Sequence, residues 1–216
     1  MLLYFNNIIQ SIPQIRTFYM DLTKKQSGSL EVICGPMFSG KSEELIRRLR
    51  RAKIAKQQVI AFKPAIDSRY SLDHVASHNG STIEALPMEH GSAMRTIALN
   101  EEVSVIGIDE VQFFPADIVN LIYDLILHGK RVIVAGLDLD FRGIPFGCMP
   151  TLLALANKVS KLQAICTQCG DDAYFTQRLV DGNPAKYNDP LILIGAQEGY
   201  QARCRHCYSI DQIPIF

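Results

Sequence analysis

Gly35-Pro36-Met37-Phe38-Ser39-Gly40-Lys41-Ser42 decides the fold. The stretch fits G-x-x-x-x-G-K-[ST] in full. Its surroundings fit as well. The apolar run Leu30-Glu31-Val32-Ile33-Cys34 before it reads as a buried strand, and residues 43–55 after it carry a helical pattern. A glycine-containing turn between strand and helix aims backbone N–H groups and a helix N-terminus at one point, which makes an anion site. Lys41 can then reach the β- and γ-phosphates of a nucleotide, and the Ser42 hydroxyl can take a magnesium ion. The competing reading is a plain turn ahead of a surface helix, and the strand in front speaks against it.

Working outward, strand-like and helix-like pieces alternate. Within 43–55, Leu45, Leu49 and Ala52 share one face. Arg47, Arg48, Arg50, Arg51 and Lys56 decorate the rest, and read as a solvated basic face rather than a binding patch. Residues 58–63 form the next strand. Residues 64–80 are polar, hold Asp67, Arg69, His74 and His78, and are long enough for a flexible active-site loop. Val103-Ser104-Val105-Ile106-Gly107-Ile108 is an apolar strand ending in Asp109-Glu110. Residues 116–128 form a helix with Leu121, Ile122 and Leu125 inward, and 131–136 form another strand. Near-continuous apolar strands mark a parallel sheet covered on both faces. The fold expected is therefore α/β, a P-loop NTPase-like parallel sheet flanked by helices. Ligands of such sheets sit at the carboxyl ends of the strands. The glycine loop, Asp109-Glu110 and Leu137-Asp138 all fall there.

Asp109 is placed to hold magnesium, directly or through water. Glu110, one residue on, points to another side, where a carboxylate can orient a water or take a proton from an acceptor hydroxyl. Two helix-capping acids are the plainer alternative.

Six cysteines are present, and four fall in two pairs, Cys166-x-x-Cys169 and Cys204-x-x-Cys207. Two such knuckles supply four thiolates for a closed tetrahedral zinc site. The pattern is metal arithmetic rather than a disulfide framework and suggests a reducing compartment. Two redox pairs are the alternative, but no thioredoxin-like βαβ setting accompanies them. The 34 residues between the pairs exceed the usual ribbon spacing, so the intervening loop has a task of its own. Short β-like runs appear at 173–176 and 191–194, with a turn at Asp181-Gly182-Asn183-Pro184 and a loop at 185–190. A zinc-stapled hairpin can hold that loop over the mouth of the sheet, where it excludes water from a phosphoryl group. Cys34 reads as a small buried thiol.

The expected division is a leading extension at 1–28, an ATP-binding α/β domain at 29–160 and a small zinc ribbon or lasso at 161–216. Residues 1–19 hold no acidic residue and one basic one, Arg16, and lack the basic start of a secretory signal. With Met20 as a plausible second start, they read as an upstream extension or a tail. Formal net charge is zero, which disfavours broad nucleic-acid binding. No run approaches a membrane span.

In order and in combination, these residues resemble the cellular, zinc-containing (type II) thymidine kinase family. The resemblance rests on the phosphate loop, Asp109-Glu110-Val111-Gln112-Phe113-Phe114, the segment from Gly136 through Asp138, Asp140 and Arg142 to Gly147, and both Cys pairs. It covers roughly residues 29–208. It implies transfer of the ATP γ-phosphate to the 5′-hydroxyl of thymidine or deoxyuridine, with Glu110 as general base. It implies ATP and Mg2+ contacts from Gly35, Pro36, Met37, Phe38, Ser39, Gly40, Lys41, Ser42, Asp109 and Gln112, with Arg69 near the transferred phosphate. Met37, Phe113, Leu137, Phe141 and Phe146 would wall the base, with Thr176 beside the thymine 5-methyl group. The backbone of Leu193, Ile194 and Gly195 would bond the base, and Tyr200 would meet the sugar. Cys166, Cys169, Cys204 and Cys207 would hold structural Zn2+. The resemblance further implies a cytoplasmic homotetramer inhibited by thymidine triphosphate. Val111 stands where relatives commonly have glycine, and Cys207 where many bacterial relatives have histidine. The rival from another class is a zinc-ribbon ATPase acting on single-stranded nucleic acid. That rival expects a basic track near the ribbon, whereas Arg178, Lys186, Arg203 and Arg205 are balanced by Asp171, Asp172, Asp181, Asp189 and Glu198.

Overall fold

The computed structural model describes residues 28–65, 74–76, 82–191 and 198–212. The leading segment 1–27, Arg69 and the trio Leu193, Ile194 and Gly195 lie outside the described residues.

Strand β1 (Ser29–Cys34) runs into the glycine loop, and helix α1 (Lys41–Ile54) leaves it. The helix begins two residues before the sequence pattern suggested, because Gly40, at φ 81°, caps it from the left-handed region that glycine tolerates. Then come β2 (Val59–Pro64), the short antiparallel pair β3 (His74–Ala76) and β4 (Thr82–Glu84), β5 (Leu86–Met88) and α2 (Gly91–Ala98). Strand β6 (Val105–Ile108), helix α3 (Ile118–Leu127), strand β7 (Arg131–Gly136), helix α4 (Met149–Leu155) and strand β8 (Lys158–Lys161) complete this part. Six strands form one parallel sheet in the order β5-β2-β6-β7-β1-β8. This is the α/β fold the sequence announced.

Alternation along the strands sorts the core into two layers. Leu30, Val32, Cys34, Ile106, Ile108, Val132 and Val134 pack with α2, α3 and α4 on one face. Ile33, Val105, Ile133 and Ala135 pack with α1 and the β3–β4 pair on the other. Both faces are covered, so the central strands carry apolar residues on both sides of the sheet. From α1, Leu45, Ile46, Leu49 and Ala52 are buried, and each large side chain so removed from water contributes about 1.5–3 kcal/mol. A Cβ on Gly107 would come within 2.5 Å of Leu49 Cδ1, so the helix lies directly on the backbone of β6.

The basic face of α1 is not wholly solvated. Arg48 is buried and bonds Glu31 (2.7 Å), Glu44 (2.8 Å) and Ser160 (2.8 Å), and Glu31 also pairs with Arg131 at 2.7 Å. The helical pattern put Arg48 among surface residues because it cannot register a carboxylate arriving from β1. Arg47 does remain exposed.

The Cys-rich part is built from β9 (Ala164–Ile165), β10 (Asp172–Ala173), β11 (Phe175–Val180), β12 (Asn183–Pro184) and β13 (Glu198–Arg203). Strands β9 and β10 pair with each other, and β11 is central in the order β12-β11-β13. Asp181 and Gly182, at φ 49° and 79°, form the two-residue hairpin turn between β11 and β12. Of the second β run read at 191–194, only Leu191 falls among the described residues. Leu191 is outside any strand, and β11 takes its long antiparallel partner from β13.

Candidate active site

The carboxyl ends of β1, β6 and β7 converge on the glycine loop. Gly35 has φ 144°, and a Cβ there would meet Leu162 O at 2.3 Å, so the loop starts against the chain leaving β8. Pro36 O accepts from Ser39 Oγ and from Lys41 Nζ, each at 2.8 Å. Phe38 turns out at φ 67° and is about half exposed. Lys41 is buried, and burial pulls its ammonium below its ordinary pKa, while Glu110, Asp109 and Asp138 oppose that shift.

Asp109 is buried at the end of β6, its N–H bonded to Phe62 O at 2.9 Å. Burial, then the charge of Glu110, pushes its carboxyl well above the usual range, against a hydrogen bond from the Ser42 hydroxyl. Asp138, at the end of β7, is buried and pairs with Lys161 at 2.8 Å. Three carboxylates thus act on one loop lysine. The Ser42 hydroxyl and the Asp109 carboxyl, hydrogen-bonded to each other, are hard oxygen donors of the kind that would hold a magnesium ion. Glu110 itself sits in the left-handed region, φ 47° and ψ 42°, ahead of a single 3-10 turn, Val111–Phe113. Its Oε2 accepts from Gln112 Nε2 at 2.5 Å.

Apolar residues gather beside these groups. Leu137, Phe141 and Phe146 are buried, and Phe113 meets Phe146 edge-to-face at 5.4 Å. The segment carrying them is folded back by Asp140, which accepts from the backbone N–H of Arg142 and Ile144 and pairs with the Arg142 guanidinium at 2.6 Å.

Strands β11 and β13 turn one face toward this region. Thr176 and Arg178 are two apart, and Tyr200 lies opposite Arg178, so the three share a face. Thr176 Oγ1 accepts from Met37 N–H at 3.0 Å. The Arg178 guanidinium lies 5.0 Å from the Phe141 ring centroid and donates to Pro190 O at 2.5 Å. Tyr208 donates to Phe141 O at 2.8 Å and stacks on Phe175. The roles of Arg178 and Tyr208 were missed from sequence. The available signal was the i, i+2 spacing of Arg178 from Thr176.

Among the described residues, the Sγ atoms of Cys166, Cys169, Cys204 and Cys207 lie within 4.8 Å of one another, and Cys169 and Cys204 approach to 3.5 Å. Sulfurs about 2.3 Å from a tetrahedral zinc stand roughly 3.8 Å apart, so the donor set fits that ion. Tight turns close both knuckles, with Gly170 N–H bonded to Cys166 O and Cys207 N–H to Cys204 O.

The parallel sheet, glycine loop and buried acid at the end of β6 define a nucleotide-binding phosphate-loop protein, with a four-cysteine cluster compatible with zinc. Among the described residues no helix is long and apolar enough to cross a membrane. The family model described as thymidine kinase matches residues 28–208, and the chain belongs to that family. It is a kinase.

Proposed function

We propose that this chain is a type II, zinc-containing thymidine kinase that phosphorylates the 5′-hydroxyl of thymidine or deoxyuridine from ATP, giving the 5′-monophosphate for nucleotide salvage. The bond from Met37 to Thr176 carries this reading, because it ties the Cys-rich part to the mouth of the phosphate loop. The loop N–H groups and Lys41 hold the ATP phosphates. Ser42 and Asp109 hold magnesium, which when bound neutralises phosphate charge. Glu110 takes the proton of the 5′-hydroxyl as its oxygen attacks the γ-phosphorus, and ADP leaves. Arg69 acts near the transferred group. The base lies among Met37, Phe113, Leu137, Phe141, Phe146 and Thr176, with Leu193, Ile194 and Gly195 on its polar edge and Tyr200 at the sugar.

The same reading divides the chain into an extension to residue 28, an ATP-binding part to 160 and a zinc lasso beyond. It makes the protein a cytoplasmic homotetramer subject to inhibition by thymidine triphosphate. ATP turnover with thymidine, set against turnover with single-stranded DNA, tests it. Stimulation by thymidine and formation of its 5′-monophosphate are expected, whereas stimulation by DNA alone overturns the reading. Glu110→Gln should lower transfer by about 10²–10⁴-fold with ATP binding nearly unchanged.

A further inference from the structure

Gln112 is 3% exposed, and both ends of its amide are engaged. Nε2 donates to Glu110 Oε2 at 2.5 Å, and Oε1 accepts from Leu137 N–H at 3.1 Å. A backbone N–H can only donate, so the amide has one orientation and its NH2 group faces the carboxylate. Room for this bridge is made by missing side chains. A Cβ on Gly136 would lie 2.5 Å from Gln112 Oε1, and one on Gly147 would lie 2.6 Å from Gln112 O. The turn is closed behind it by Phe113 N–H to Glu110 O (3.1 Å) and Phe114 N–H to Val111 O (3.2 Å). The left-handed backbone at Glu110 sets where its side chain leaves the chain, and the amide fixes where its carboxylate ends.

We propose that Gln112 is a positioning residue that registers the Glu110 carboxylate to the end of β7. Leu137, at that end, belongs to the apolar wall assigned to the nucleoside. The proton acceptor and the sugar alcohol are thereby held in one frame. The inference rests on the phosphotransfer reading of Glu110 and changes the expected part of Gln112, which the family resemblance put with the ATP contacts. A glutamine serving ATP would turn its amide to the phosphates, whereas here both ends bridge protein groups.

Gln112→Met keeps the length and removes both bonds. Misplacing a reacting group by about an ångström costs on the order of a hundredfold. The expected result is a fall in kcat with thymidine of roughly ten- to a hundredfold, with the KM for ATP within about threefold of wild type. In a Glu110→Gln background the same substitution should cost less than about twofold, because its effect acts through Glu110. Gln112→Glu keeps the acceptor for Leu137 and removes the donor to Glu110. It decides the matter by kcat alone should the methionine variant fail to fold. A folded variant with kcat within twofold of wild type overturns the proposal, as does full additivity with Glu110→Gln. A rise in the KM for ATP at constant kcat in Gln112→Met returns Gln112 to the ATP site. Wild-type protein with no activity on thymidine would instead overturn the phosphotransfer reading itself.

Discussion

Met37 N–H and Thr176 Oγ1 are 3.0 Å apart across 139 residues of sequence. Met37 is the third residue of the phosphate loop, and Thr176 is a buried residue of β11. A loop whose N–H groups are meant for phosphate therefore has one of them tied to the Cys-rich part. The residue assigned to the thymine methyl group is thus bonded to the loop assigned to ATP.

Thr176→Val keeps the shape and removes the acceptor. The Met37 N–H is part-buried, so losing its acceptor should cost toward the low end of about 1–3 kcal/mol, and the loop can relieve that cost by moving. ATP affinity measured calorimetrically without nucleoside should fall about tenfold for Thr176→Val, since 1.4 kcal/mol is one decade. Thr176→Ser, which keeps the oxygen, should bind ATP like wild type. Equal affinity for all three proteins would show that the bond does not shape the loop.

Zinc removal should act locally. The four sulfurs close the ends of β9–β10 and β13, while the parallel sheet has its own two-layer core. Purified protein should carry about one zinc per chain, the number a closed four-thiolate site takes, and Cys204→Ser should lose it. In hydrogen exchange, chelation should expose amides of β11 and β13 while β1, β6 and β7 stay protected. Uniform loss of protection would mean that the metal supports the whole molecule.

What the sequence disclosed follows from how each element signals itself. The strands flanked by helices on both faces are written as apolar runs, so β1, β2, β6 and β7 were legible, as were the phosphate loop and both Cys pairs. Edge elements were not. Strand β8, Lys-Val-Ser-Lys, is mostly exposed and pairs on one side only, and lysines on an open edge leave no hydrophobic period. Strand β5 holds Pro87 and also pairs on one side, as an edge proline must. Helix α2 spans eight residues with no side-chain cap. Glu110 and Asp109 could be named from type and position. The Gln112 bridge and the packing of Arg178 on Phe141 depend on strands brought together by the fold, which linear spacing does not encode.

The network around Glu31 offers the sharpest contrast with a surface reading. Arg48 and Glu31 are 7% and 13% exposed, whereas the side chain of Arg47 is 58% exposed, though both arginines touch Glu44. Breaking a buried pair from one side typically costs 3–5 kcal/mol. Glu31 keeps Arg131, so Arg48→Met should cost about 3 kcal/mol in urea unfolding, and Arg47→Ala, at a solvent-screened guanidinium, should lower the urea midpoint by less. Equal costs would show that burial does not distinguish the two.

The same network fixes a pH dependence. Hydrogen bonds from Arg47 and then Arg48 hold the Glu44 carboxyl down at about 2, from an ordinary 4.5. A folded pKa below the unfolded one means that the ionised group favours the native state. Its contribution is complete above pH 4.5, declines as pH falls through that window, and is gone below about 2. Glu44→Gln carries no such charge at any pH. Its deficit against wild type should therefore be largest at neutral pH and shrink steadily between pH 4.5 and 2, read as the gap between urea midpoints at pH 7, 4 and 3. A gap that stays constant across those three values would mean that Glu44 contributes by packing and not by its charge.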